Sequence, residues 1–150
     1  MEEIYITTNS KNDAKNLVKL SKEFEEEKCC YGITADNIDY FSKKSVICAK
    51  IDNEIVGYCY GTFENKFLDT SFYNKGDKSF YIEEIFVTKK YRDKNIGQKL
   101  FNFAEKYAKD NGCKVIELTA VSKNYTKLLS FYIEKLNMNL WSAKLVKILD

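Results

Sequence analysis

A mixed α/β domain, with about six to seven strands in one sheet and four helices spread over both faces, is predicted by three observations. The chain has 150 residues, enough for one domain (1–150) with one core. Its apolar residues alternate between a period of two and a period near 3.6, so strands and helices are interleaved. A strand and two helices come first, then consecutive strands, then strand–helix–strand units. That order requires antiparallel and parallel pairing in the same sheet.

Each element follows from its own pattern. Ile4 to Thr7 reads as a short first strand. Ser10-Lys11-Asn12-Asp13 resembles a capping box, with Asp where Glu or Gln is usual. The helix after it places Ala14, Leu17, Val18, Ser21 and Phe24 on one face, and Lys15, Lys19, Lys22, Glu23 and Glu26 on the other. Thr34 to Lys43 reads as a second short helix with Ile38 and Phe41 inward. Ser45 to Ile51 and Glu54 to Phe63 form a hairpin around Asn53. Gly57 inside the second of these strands predicts a bend or a close backbone approach. Glu64 to Lys78 is polar and irregular, long for a plain connection, and reads as a substrate-side loop. Ser79 to Thr88 is a strand. Asn95 to Asn111 is a helix with Ile96, Leu100, Phe103, Ala104 and Tyr107 inward, ended by Gly112. Cys113 to Val121 reads as a strand, Asn124 to Leu136 as a helix with Leu128, Leu129, Tyr132 and Leu136 inward, and Leu140 to Leu149 as a terminal strand.

Composition narrows the chemistry. The chain is 45% hydrophobic and 31% charged, the profile of a soluble globular protein. The net charge of +2 comes without a basic tract, which argues against nucleic acid as the main partner. Histidine is absent, which removes the commonest general base and the commonest metal ligand. Cysteines 29, 30, 48, 59 and 113 are odd in number and form no Cys-x-x-Cys, so neither a disulfide framework nor a zinc site is expected. Cys48, Cys59 and Cys113 fall in expected strands and read as core residues, and Cys29-Cys30 has no histidine to activate it. No signal peptide or apolar span is visible, so a cytoplasmic location without membrane contact is expected, and a homodimer stays open.

The most informative run is Phe80 to Gln98. A strand ends, a short turn follows, and a helix begins. Helix N-termini expose unpaired N–H groups and a partial positive charge, and so bind phosphate. Arg92 and Lys94 add formal charge there, Gly97 lets a ligand approach the backbone, and Asn95 tolerates a left-handed conformation. From the residues alone this is either a phosphate loop or an ordinary basic turn.

The segment Arg92-Asp93-Lys94-Asn95-Ile96-Gly97 resembles the loop Arg/Gln-x-x-Gly-x-Gly/Ala of the GNAT superfamily of acetyl-CoA-dependent N-acetyltransferases, with Asn95 in place of the first Gly. The resemblance runs from about Ile55 to the C-terminus and is most specific over Tyr81 to Leu100. It implies a GNAT-like fold and acetyl-CoA as co-substrate, with no metal. It implies that the backbone of Ile85, Phe86 and Val87 pairs with the pantetheine arm. It further implies that the N–H groups of Asp93, Lys94, Asn95, Ile96, Gly97 and Gln98, beside Arg92, hold the pyrophosphate.

An acetyl transfer to an amine needs a base, because a free primary amine is mostly ammonium at neutral pH. Glu83 and Glu84 are the candidates. Alternation puts Glu83 with Tyr81, Ile85 and Val87, and Glu84 with Ile82 and Phe86, so only one is expected to face the amine. Similar family members carry an acid where Glu83 falls, which makes Glu83 the preferred base and Glu84 the alternative. Phe131-Tyr132 resembles the end of the family pattern Asn-x-x-Ala-x-x-Phe/Leu-Tyr, which implies that Tyr132 protonates the departing thiolate. Asn124 belongs to the same pattern and is assigned to the cofactor side, although it lies one residue early. Asn137-Met138, in place of Gly-Phe, lies one residue late.

The acidic run Glu23, Glu25, Glu26 and Glu27 reads as a solvated helix face or as a lure for a cationic acceptor, with Asp36, Asp39, Glu64, Asp69 and Asp77 adding to the field. The expected function is therefore acetylation of a small cationic amine, such as a polyamine, an aminoglycoside-like amine or an amino acid, by direct attack in a ternary complex. Protein N-terminal or lysine acetylation and a non-catalytic CoA-binding module are the alternatives.

Overall fold

The structure is a computed structural model and describes residues 4–149. Five strands form one sheet in the order β1 (Ile4–Thr8), β2 (Val46–Ile51), β3 (Glu54–Asn65), β4 (Lys78–Val87) and β5 (Val115–Leu118). The first three pairings are antiparallel and β4–β5 is parallel. Helices α1 (Ala14–Glu27) and α2 (Ile38–Ser42) cover one face. Helix α3 (Ile96–Asp110) covers the other, joined by α4 (Tyr125–Ser130) and its π-helical continuation Phe131–Lys135.

Each face has its own apolar cluster. Leu17, Leu20, Phe41, Val46, Ile55, Tyr58 and Phe86 are buried under α1 and α2. Ile47, Val56, Phe80, Ile82, Ile96, Leu100 and Ala104 are buried under α3. Cys48 and Cys59 are fully buried within this core, as expected, while Cys113 is half-buried just outside β5. The expected capping box is present: the Ser10 N–H donates to Asp13 Oδ2 at 2.7 Å, one short 3-10 turn ahead of α1.

Two irregularities in the sheet position the site. In β3, Gly57 lies so close to β4 that a Cβ there would meet the Phe86 carbonyl at 2.9 Å, which is the close approach its sequence position predicts. In β4, Tyr60 pairs with Glu84 and Gly61 with Ile82, leaving Glu83 as an extra residue. This is a β-bulge, and it flips the face assignment of everything beyond it. Gly61 makes the bulge feasible, since a Cβ at that position would lie 2.2 Å from the Tyr81 carbonyl oxygen.

Several expected elements differ. The predicted terminal strand Leu140 to Leu149 is not formed, and the described residues hold five strands, below the expected six to seven. Alternating apolar residues make a strand only where an edge is there to pair. Here β5 is four residues long and Leu140, Trp141, Leu145, Val146, Ile148 and Leu149 are exposed. The helix expected from Thr34 starts only at Ile38, because the Asn37 side chain accepts from the Tyr40 N–H at 2.9 Å and caps it there. Ile38 is half-exposed rather than inward. The strand expected over Cys113 to Val121 is regular only from Val115 to Leu118, since the chain beyond it bonds to the segment after α1. Among the described residues no helix is long and apolar enough to cross a membrane.

Candidate active site

The turn between β4 and α3 is built by local geometry. Residues Lys89–Tyr91 form a 3-10 turn, and Asp93 and Asn95 then take left-handed conformations with φ of 65° and 58°. Asn95 therefore does what the sequence demanded of it at the position where a Gly is usual. Its side chain makes no capping bond, and the first N–H to bond back into the helix is that of Lys99, to the Asn95 carbonyl at 3.0 Å. The N–H groups of Ile96, Gly97 and Gln98 are therefore the helix's orphan donors. Gly97 faces Phe131, whose ring a Cβ there would meet at 3.4 Å.

The loop is tied down by α1. The Glu23 carboxylate accepts from the Thr88 hydroxyl at 2.7 and 2.8 Å and from the Lys89 N–H at 3.0 Å. The Arg92 guanidinium donates to Glu27 Oε1 at 2.6 Å and to the Val87 carbonyl at 2.9 Å, and lies over the Phe86 ring. Two members of the acidic run are thus braces for the loop and not a solvated face. Arg92 is committed to holding the loop's shape.

Beside this loop the sheet opens. The β4–β5 pairing stops at Ile82 and Leu118, so Glu83 to Val87 form a strand edge without β5 alongside. The chain after β5 is drawn elsewhere: the Cys30 thiol donates to the Val121 carbonyl at 2.9 Å and the Lys123 N–H to the Cys29 carbonyl at 2.9 Å.

The bulge corrects the expectation that Glu83 and Glu84 face opposite ways. Both reach the α1–α2 side. Glu83 accepts from the Tyr40 hydroxyl at 2.9 Å and the Lys44 ammonium at 3.0 Å. Glu84 accepts from the Tyr58 hydroxyl and, at 3.5 Å, from the Tyr60 hydroxyl, which also donates to Asp36 at 2.7 Å. Burial, with Asp36 and Glu83 nearby, holds the Glu84 carboxyl above the usual carboxylate range, although the two tyrosine bonds pull the other way. Burial also raises the Tyr58 and Tyr60 hydroxyls, so both stay protonated donors.

Tyr132 is buried against the rings of Phe101 and Phe131. Burial, then Cys59 and Cys30, raises its hydroxyl, which therefore keeps its proton at neutral pH. The Cys30 thiol, pushed up to about 12 by burial, Cys29 and Glu84, lies within electrostatic reach of both Glu84 and Tyr132.

The Acetyltransferase (GNAT) family model matches residues 11–138. The chain belongs to this family. It is an acyltransferase whose acetyl donor is acetyl-CoA. No curated protein matches it in sequence. Solved structures share the fold at low identity. Glucosamine-6-phosphate N-acetyltransferase from Arabidopsis thaliana is 20% identical with a TM-score of 0.70, covering 99% of this chain and 100% of that one. Ribosomal-protein-alanine N-acetyltransferase from Brucella melitensis biovar Abortus 2308 is 15% identical with a TM-score of 0.69, covering 97% and 99%. An aminoglycoside N-acetyltransferase in complex with CoA is 11% identical with a TM-score of 0.73, covering 99% and 95%.

The π-helix explains where this acetyltransferase departs from the family pattern. The Leu136 N–H bonds to the Phe131 carbonyl at 3.2 Å, five residues back, which absorbs one extra residue after Tyr132. Asn137 then takes the left-handed conformation, φ 59°, that suits the family's Gly. The late register of Asn137-Met138 is thus a local bulge in the helix. The helix predicted as continuous from Asn124 to Leu136 is α-helical only to Ser130. Asn124 caps it, accepting from the Lys127 N–H at 3.4 Å.

The residues at hand fit acetyl-CoA. A helix start with uncapped N–H groups lies next to a strand edge that, among the described residues, has no strand paired to it. Sequence reasoning missed Tyr40, Lys44, Tyr58 and Tyr60, and set Cys30 aside. Tyr58 and Tyr60 had a signal, since two tyrosines spaced by two on a buried strand share one face. Lys44 and Cys30, in loops, had none.

Proposed function

We propose that this acetyltransferase modifies the primary amine of a small cationic acceptor, by direct attack on acetyl-CoA in a ternary complex. The observation that carries the reading is the bulge that turns Glu83 and Glu84 onto one face, beside an unpaired strand edge. Three carboxylates, Asp36, Glu83 and Glu84, meet there among Tyr40, Tyr58 and Tyr60, a surface that suits an ammonium ion by charge and by ring faces.

In this reading the backbone of Ile85, Phe86 and Val87 pairs with the pantetheine amides. The N–H groups from Asp93 to Gln98 hold the pyrophosphate, with Lys94 adding charge and Arg92 keeping the loop in shape. Asn124 positions α4 beside the cofactor. Glu83 takes the ammonium proton, the amine nitrogen attacks the thioester carbonyl, and the carbon–sulfur bond breaks. Tyr132, the positioned phenol that burial keeps protonated, gives its proton to the departing thiolate and is restored by the second proton that the nitrogen sheds as the amide forms. No acyl-enzyme is required, which suits a chain without histidine.

Glu84 is a second candidate base, favoured by its raised pKa. Its two tyrosine bonds leave it less accessible than Glu83. Thiol release over a panel of polyamines, aminoglycosides, amino acids and N-terminal peptides tests the reading. It predicts that polycationic small amines turn over fastest. Preference for peptides would overturn the acceptor class.

A further inference from the structure

The acceptor face carries an amine of the chain's own. Lys44, in the turn between α2 and β2, points its ammonium at Glu83 Oε1, 3.0 Å away. The same nitrogen lies 5.0 Å from the centre of the Tyr40 ring and 5.7 Å from that of Tyr60. The Tyr40 hydroxyl holds the other oxygen of Glu83 at 2.9 Å, which fixes the carboxylate toward Lys44. This is the placement the proposed reaction asks of an acceptor: a primary amine in hydrogen-bond reach of the base, held over aromatic faces. Glu83 lies two residues along β4 from the start of the strand edge assigned to the pantetheine arm.

We propose that, with acetyl-CoA bound and no acceptor present, the enzyme acetylates its own Lys44. The inference rests on Glu83 as the base. Glu83 accepts a proton from the ammonium, Nζ attacks the thioester carbonyl, and a carbon–nitrogen bond replaces the carbon–sulfur bond. CoA leaves as the thiol, its proton balanced by the second one that Nζ sheds as the amide forms, and the proton on Glu83 passes to water. The product is an uncharged amide, and Glu83 loses its internal cation. The face then holds Asp36, Glu83 and Glu84 with no lysine paired to them, so self-acetylation primes it for a cationic acceptor.

The surroundings also set the pace. Burial alone would lower the Lys44 pKa, but its bonds to Glu83 and Tyr40 raise it overall. The neutral amine is therefore scarce near pH 7, and the reaction is slow and speeds up with pH. Lys43 supplies an internal control. It is the preceding residue, its side chain is 71% exposed, and it pairs with Asp39 on the surface. Acetylation by free acetyl-CoA in solution would mark Lys43 at least as readily as Lys44.

The test incubates the full chain with acetyl-CoA alone and follows intact mass and peptide maps. One acetyl group per chain at Lys44, at a rate per molecule independent of protein concentration, is expected. Lys44→Arg should remove the mark, and Glu83→Gln should slow it about 100-fold. Acetylation that favours Lys43, that spreads over exposed lysines, or that proceeds at the wild-type rate in Glu83→Gln would overturn the proposal. Acetyl-CoA titration and acceptor turnover on the same preparation separate the two readings. A chain that turns over acceptors but leaves Lys44 unmodified sinks self-acetylation alone. A chain that binds acetyl-CoA and acetylates no amine sinks the proposed function with it.

Discussion

Gly61→Ala tests whether the β4 bulge organises the site. An added Cβ would sit 2.2 Å from the Tyr81 carbonyl oxygen, 2.9 Å from the Tyr81 carbonyl carbon and 2.9 Å from the Phe80 ring. Ordinary contact needs at least about 3.2 Å, so β4 must retreat by roughly 1 Å beside the bulge. The obstruction is backbone, which cannot rotate away as a side chain can. Overpacking of this kind costs about 2–4 kcal/mol. For a domain of this size that is a fall in Tm of roughly 4–16 °C. The same retreat shifts Glu83, the bulged residue, relative to the strand edge, so turnover should fall further than acetyl-CoA binding. Urea denaturation gives the stability, and thiol release and acetyl-CoA titration give the other two quantities. Gly57→Ala is the comparison, since its nearest atom, the Phe86 carbonyl oxygen, lies farther off at 2.9 Å and away from the bulge. It should cost less than Gly61→Ala and spare the ratio of turnover to binding. Wild-type stability and turnover in Gly61→Ala would refute the claim that this glycine sustains the bulge.

Asn95→Ala places a residue with no local hydrogen-bonding side chain at φ 58°. It should cost about 1 kcal/mol and raise the KM for acetyl-CoA, whereas Asn95→Gly should keep both near wild type; urea curves and steady-state kinetics check this. Glu84→Gln should stabilise the fold at neutral pH. The folded-state pKa of Glu84 is raised, so the native state binds the proton more tightly than the unfolded chain and loses stability as pH climbs from the unfolded to the folded pKa. Melting curves from about pH 4 to 8 should show the variant's advantage appearing as pH rises. An advantage confined to acid pH would contradict the assignment.

The period-two and period-3.6 patterns located most of the architecture, because burial on a defined face leaves a regular trace in sequence. The mixed sheet and the helices on both faces were readable this way, while the left-handed Asn95 was open to the sequence only through the tolerance of its residue type. The bulge was not. Nothing in Ile82-Glu83-Glu84-Ile85 distinguishes a continuous strand from one with an extra residue, and the face of Glu84 against Glu83 turns on that one residue. The π turn after Tyr132 is the same case on a helix: the spacing of Asn137 was visible as a discrepancy, while its cause was a hydrogen bond five residues long. The acidic run of α1 looked uniform, yet Glu23 and Glu27 brace the loop between β4 and α3 because of where the helix lies on the sheet. Leu140 to Leu149 has a strand's composition and no strand, since pairing depends on a partner edge that composition cannot supply.

The central claim is that Glu83 accepts the acceptor's proton during direct transfer from acetyl-CoA. Its most direct test is kcat/KM against pH for wild type, Glu83→Gln and Glu84→Gln, measured on whichever small cationic amine the panel selects. The account predicts a loss of about 100-fold or more in Glu83→Gln, equivalent to about 2.7 kcal/mol of barrier or more, together with loss of the acidic limb of the profile. Glu84→Gln should keep that limb. A Glu83→Gln enzyme with wild-type kcat/KM and an unchanged limb, beside a Glu84→Gln enzyme that loses both, would contradict it and move the base to Glu84.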